Sequence, residues 1–243
     1  MRAAAIGVCM ANLACGRLGF DTGPGGDAPG SDGAHDPITL VGSTTCQGSP
    51  TTLALPDGAL VGDTLFVVFY MREPMPNRLP TIAGAGTTWQ TDVAFSTVQS
   101  INRREISVFR TRVSSVVAPG TTVAIDFPSA TSSGAALFRV GGDVQLTESA
   151  TVGEGDGPAF AATHATTGQQ VLCIVANHNS TSASFGPSWT TQLELTSNCG
   201  GTRETAQVHI ATGAGNGNID CHGLLGNSFG WAIAMVGYDG LSL

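Results

Sequence analysis

Hydrophobic positions along this chain follow two patterns. Thr64 to Tyr70 and Val171 to Ala176 are near-continuous apolar runs, opened by Gly62-Asp63 and Gly168-Gln169. Runs of that length fit buried central strands. In Trp89-Gln-Thr-Asp-Val93-Ala-Phe95 large apolar residues alternate with mostly polar ones, the period-two signature of a sheet with one face inward. Arg104 to Arg112, Glu204 to Ala211, Thr121 to Phe127, a segment around Ile219, Ala135 to Val140 and Trp231 to Val236 continue the series. Ile38 to Leu55 adds one or two strands before it. Clusters of Asn, Gly, Pro and Ser separate these segments at short spacing, as in a sandwich.

The series is spelled twice, about a hundred residues apart. Trp89-x-x-x-Val93-x-Phe95 returns as Trp189-x-x-x-Leu193-x-Leu195, and Arg104-Glu105 returns as Arg203-Glu204. Gly134-x-Ala136-Leu137-x-x-Val140-Gly141-x-Asp143 returns as Gly230-x-Ala232-Ile233-x-x-Val236-Gly237-x-Asp239. Such self-similarity predicts one β-rich unit built twice. The expected fold is an all-β, antiparallel, jelly-roll-like β-sandwich made by internal duplication. Repeat one spans about 56–143 and repeat two about 160–239, within a sandwich over 38–243. Five strands per copy would leave edges exposed, and the junction Gln145 to Gly168 still carries Leu146 and Phe160. Both points favour one shared sandwich over two tandem domains.

Pro56-x-Gly58 with Gly62-Asp63-x-Leu65, the Trp89 strand and the closing Ala-x-x-x-Val-Gly strand resemble duplicated β-sandwich domains of phage tail proteins and secreted bacterial proteins. The resemblance covers most of residues 40 to 240 and implies the fold. It implies no common chemistry.

Composition narrows the class. Of 243 residues 12% are charged, 33 are Gly and 12 are Pro, a mix poor for helices and suited to short strands and tight turns. Every basic residue is Arg, and the net charge of −8 argues against a nucleic-acid partner, which would want a basic stripe.

The N-terminus predicts export. Met1-Arg2 leads into the apolar stretch Ala3 to Leu13, followed by Ala14-Cys15-Gly16. That pattern reads as a compressed signal over 1–14, with Cys15 the acyl acceptor. An acidic Gly/Asp/Pro-rich segment then fills 15–37 and cannot offset chain entropy by burial, so a tether is expected. Cys15 to Asp21 (CGRLGFD) before a Gly/Asp linker resembles lipoproteins of high-GC Gram-negative bacteria, which implies an envelope location and no activity. A membrane contact is thus expected through a lipid anchor alone. The longest later apolar run, Leu65 to Met71, is far short of the roughly 20 residues a span needs.

Four cysteines remain: Cys46, Cys173, Cys199 and Cys221. An even number outside the cytoplasm fits disulfides. Cys199–Cys221, both within repeat two, is the expected bridge and would contribute on the order of 3 kcal/mol. Cys46 and Cys173 form a second pair, or Cys173 is a buried thiol.

Little is left over for chemistry. Trp89 and Trp189 stand at equivalent strand starts, which favours packing over sugar stacking. Trp231, Ile233 and Met235 share one face of a strand whose other face, Ala232, Ala234 and Val236, is apolar too. That strand is either covered on both sides or offers a partner patch centred on Trp231. His178, between Asn177 and Asn179, and His222, after Asp220-Cys221, fall near strand ends where sandwiches bind ligands. They would form a site only if the fold joins them, and no histidine pair has metal-ligand spacing. Gly153-Glu154-Gly155-Asp156-Gly157 and Asn216 to Asp220 carry oxygen ligands of the kind calcium takes, though ordinary turn chemistry explains them better. No phosphate loop or dinucleotide fingerprint is present. The residues peculiar to repeat two (Cys199, Cys221, His178, His222, Trp231) make that half the expected working end. The reading is a non-catalytic surface module for binding, adhesion or envelope structure, with a glycan or protein ligand and room for oligomerisation. A phage-tail-like structural component and a hydrolase with a loop-borne site are the alternatives.

Overall fold

Thr64 to Arg72 form a strand buried on both faces, and the layers of the molecule follow from it. Leu65, Val67, Phe69 and Met71 enter one hydrophobic core while Phe66, Val68 and Tyr70 enter another. Period-two alternation sends successive side chains to opposite faces, so a strand with no polar face needs a layer on each side.

The computed structural model describes residues 37–45, 49–72, 79–97, 103–127, 132–167, 170–178, 183–185, 189–199, 202–212, 216–225 and 230–241, all within one unit, His35–Leu243. Among them every regular element is a strand. The first half holds β1 (Thr39–Thr45), β2 (Thr51–Leu55), β3 (Thr64–Arg72), β4 (Thr81–Gly84), β5 (Gln90–Ser96), β6 (Arg104–Arg112), β7 (Thr121–Asp126) and β8 (Ser132–Val140). Short β9 (Gln145–Leu146) leads to the second half: β10 (Thr151–Gly155), β11 (Ala159–Thr167), β12 (Gln170–His178), β13 (Ala183–Phe185), β14 (Thr190–Cys199), β15 (Thr202–Thr212), β16 (Asn216–Leu225) and β17 (Trp231–Asp239).

Each half forms two antiparallel sheets. The first has a five-stranded sheet, β1-β8-β3-β6-β5, facing a three-stranded one, β2-β7-β4. The second has β10-β17-β12-β15-β14, with β9 alongside β17, facing β11-β16-β13. Strand for strand the two orders are the same, and each is a jelly-roll wiring in which the chain alternates between sheets. In both halves the alternation breaks once, where the fifth strand stays in the same sheet and pairs with the sixth. Both pairings slip register at one place, between Thr91 and Val93 and between Thr191 and Leu193.

The two five-stranded sheets pack against each other, so the described residues form four layers around three cores. The middle core joins Phe66, Val68, Ile106, Val108 and Phe138 to Leu172, Ile174, Val236 and Tyr238. Ala136, Ala176, Ala232 and Ala234 occupy the same seam, where their small side chains let the sheets approach. The outer cores close each half, around Leu53, Leu55, Val123 and Ile125 in one and Phe160, Ile219, Cys221 and Leu225 in the other. Each large aliphatic side chain so buried is worth about 1.5–3 kcal/mol. The fold is therefore all-β and antiparallel. The count of five strands per copy becomes eight: each half closes a two-sheet sandwich, and a further core is shared between them.

Candidate functional site

Trp231 answers to the first of its two readings, a strand covered on both sides. Its side chain is 9% exposed and packs on Phe160 at a ring separation of 6.5 Å, inside the second half's outer core. The strand is apolar on both faces because both are covered. Room for the indole comes from the neighbouring strand, where a Cβ on Gly155 would lie 2.6 Å from its Cζ2. The Gly-rich segment considered for calcium is thus partly strand β10, paired with β17. Asn216 to Asp220 likewise lie in β16, with Asp220 Oδ1 accepting from Thr163 Oγ1 at 2.7 Å. Among the described residues no group of three or more His, Cys, Asp or Glu is placed to hold a metal ion.

The disulfide differs from expectation. Cys221 pairs with Cys173, Cα to Cα 6.5 Å, bridging the outer and inner sheets of the second half. Cys199 ends β14 opposite Thr202, whereas Cys173 is opposite His209. Those rows are seven residues apart, roughly 23 Å at strand rise, so nearness in sequence does not bring Cys199 to Cys221. The same arithmetic separates the histidines. His178 lies five residues beyond Cys173 on β12, roughly 16 Å along it, while His222 follows Cys221 and is exposed on the outer sheet. Cys15, Cys46 and Asn179 lie outside the described residues. Trp89 and Trp189 are packing residues as expected, each indole donating to a backbone carbonyl, of Gly84 at 3.2 Å and Asp220 at 2.8 Å.

Much of the remaining charge is held inside the scaffold. The Arg110 guanidinium donates to Asp92 at 2.9 Å, to the Val144 carbonyl at 2.9 Å and to Gln90 at 3.0 Å. Tyr238, from the other half, donates its hydroxyl to Asp92 at 2.8 Å. Burial first, and the Asp92 charge second, push that phenol well above its ordinary value. Asp92 sits at the register slip of β5, and a bulge of this kind re-aims a side chain. Burial likewise raises the Glu105 carboxyl, although Ser107 and Ser96 hydroxyls donate to it.

His164 forms a third polar group. It is buried in β11, with Nδ1 3.0 Å from Thr151 Oγ1 and Nε2 3.9 Å from Glu148. Burial lowers its pKa below 6.5, and the Glu148 carboxylate only partly opposes this. The unfolded chain therefore binds the proton more readily than the folded one. The stability this residue contributes is full above 6.5 and is lost as pH falls through the lowered folded value. A His164→Gln variant should consequently lose less melting temperature than the native chain between about pH 7 and 5. Parallel melting curves across that window would refute the assignment.

Among the described residues an accessible cleft lies in the first half, at the end where the described chain begins. A cleft of about 280 Å³ is lined by Pro37, Thr39, Leu60, Asp63, Arg139 and Gly141. Leu60 and Val61 project beside it, 66% and 60% exposed, and Val116 is 69% exposed on the adjoining loop. The two loops are tied by a reciprocal backbone pair between Ala59 and Val117, at 3.1 and 2.9 Å. Asp63 accepts from the Leu60 N–H at 2.9 Å, Arg139 donates to the Gly58 carbonyl at 3.3 Å, and the Gly62 N–H donates to Val113 at 2.9 Å. Gly58 and Gly62 take positive φ, 69° and 96°, as the turns require. Braced in this way, the loop holds its aliphatic side chains in water by construction. The corresponding link in the second half, between β11 and β12, is only Gly168-Gln169.

The chain is thus an antiparallel β-sandwich protein of two stacked jelly-roll-wired halves with one braced apolar tip. Comparison with protein families, curated proteins and solved structures finds no match to it.

Proposed function

We propose that this protein is an exported, lipid-anchored, non-catalytic module of the cell envelope, acting through its surface in binding, adhesion or envelope structure. The observation that carries the reading is the contrast between interior and surface. Arg110, Asp92, Glu105, Tyr238 and His164 are engaged by neighbours inside the scaffold, while the feature offered outward is a braced aliphatic tip beside a shallow cleft. Apolar groups held in water by design signal recognition. Pro37 lines that cleft, so the segment carrying Cys15 joins the domain there. The common wiring of the two halves supports one ancestral unit used twice, with the tip added to one copy.

Cys15 acylation is the test. In a Gram-negative host the mature protein should begin at Cys15 and carry the mass of a lipid-modified cysteine. Cys15→Ala should move it from the membrane to the soluble fraction. An unmodified mature N-terminus at another residue would overturn the anchored reading and return the phage-tail-like alternative to first place.

A further inference from the structure

The tip and the cleft together have the chemistry of a lipid contact. Leu60, Val61 and Val116 form an aliphatic prow on two hydrogen-bonded loops. Behind it the cleft offers one cation, Arg139, and one anion, Asp63, with the Thr39 hydroxyl between sequence neighbours of the entering chain. A zwitterionic phospholipid presents the complementary set: acyl chains, a phosphate and an ammonium group. Arginine is suited to phosphate. The overall charge of −8 disfavours strongly anionic surfaces, which selects a zwitterionic one.

We propose that this face docks onto a bilayer of zwitterionic phospholipid, with Leu60, Val61 and Val116 entering the interface and a headgroup entering the cleft, phosphate to Arg139 and ammonium to Asp63. The contact goes beyond acyl anchoring and rests on that reading for its biological setting. Pro37 lines the cleft, and only 22 residues (37 − 15) separate it from Cys15. An anchor that close raises the effective concentration of the face at the membrane, so a three-residue insertion is enough.

The experiment uses the full chain carrying Cys15→Ala, so that acyl chains contribute nothing and the two readings fail separately. Flotation with phosphatidylcholine/phosphatidylethanolamine vesicles should carry this protein upward. Vesicles of a neutral glycolipid, or ones enriched in anionic phospholipid, should carry less. Leu60→Asp with Val61→Asp should reduce partition at least about tenfold, since each buried aliphatic side chain is worth more than that factor. Leu60→Ser with Val116→Ser should give an intermediate loss. Leu224→Asp, at an equally exposed leucine (60%) on the second half's outer sheet, should change nothing. Unchanged melting temperatures would show that each variant is folded. Failure of the Cys15→Ala chain to float, equal flotation of the Leu60/Val61 variant, or equal binding to the glycolipid would each overturn the proposal. A dimer in solution that the same aspartates dissolve, without vesicle binding, would reassign the tip to self-association and overturn it too.

Discussion

Asp92→Ala should cost about 3–5 kcal/mol of folding stability, among the largest effects of any single substitution here. The Asp92 and Arg110 side chains are only 2% and 8% exposed. Removing the carboxylate strips Arg110 of its charge partner and leaves it the Val144 carbonyl and Gln90 alone. It also takes the acceptor from Tyr238, which is fully buried against Phe66 at a ring separation of 5.0 Å. Tyr238→Phe should cost less, about 1–3 kcal/mol, because Arg110 still satisfies Asp92. Denaturant unfolding of the two single variants and the double variant gives the coupling directly, and it should exceed about 1 kcal/mol. An Asp92→Ala loss below that figure would mean that solvent reaches the pair.

Loss of the Cys173–Cys221 bridge should cost about 4 kcal/mol, from the chain-entropy estimate for its sequence separation of 48. Cys173→Ala with Cys221→Ala is the cleaner comparison, since both half-cystines are fully buried and the pair leaves no free thiol behind. Cys199→Ala should be close to neutral in the same assay. Peptide mapping without reductant should recover the Val171–Ala176 segment linked to the segment around Asp220. A Cys199–Cys221 peptide, or equal losses from Cys199→Ala and Cys221→Ala, would overturn the pairing.

Strand identity was legible because it depends on local pattern. The runs at β3 and β12, the alternation after Trp89 and the closing strands are where expected. Layering was not legible in the same way. A strand apolar on both faces requires two covers, but nothing in Thr64 to Arg72 says that one cover is a three-stranded sheet and the other the opposite half of the chain. Trp231 left its two readings open for the same reason. It aligns in sequence with Ala135 but in strand register with Ser133, and room for its indole is visible only once Gly153 and Gly155 are seen beside it on β10. Asp92 left no signal, because one extra residue in a strand alters no periodicity long enough to read. The apolar tip is silent in the sequence because it carries none of the chemically conspicuous residues that set the second copy apart. The difference that reaches solvent is a loop, and its Pro56-x-Gly58 and Gly62-Asp63 turns read as scaffold motifs alone. Those turns do belong to the scaffold; what they hold up is Leu60 and Val61.

The slip in β5 has a consequence for the order in which the protein is made. Asp92, Gln90, Arg110 and Val144 all precede the second half in sequence. Where the chain emerges N-terminus first, at the ribosome or after export, the first half precedes its cover. Until the cover arrives, Phe66, Val68, Ile106 and Phe138 form a bare apolar sheet face, open to other nascent chains. The ion pair gives that face a charged spot, complete before Tyr238 exists. A stranger's apolar sheet would have to bury those charges without an answering hydroxyl, whereas the chain's own second half brings one.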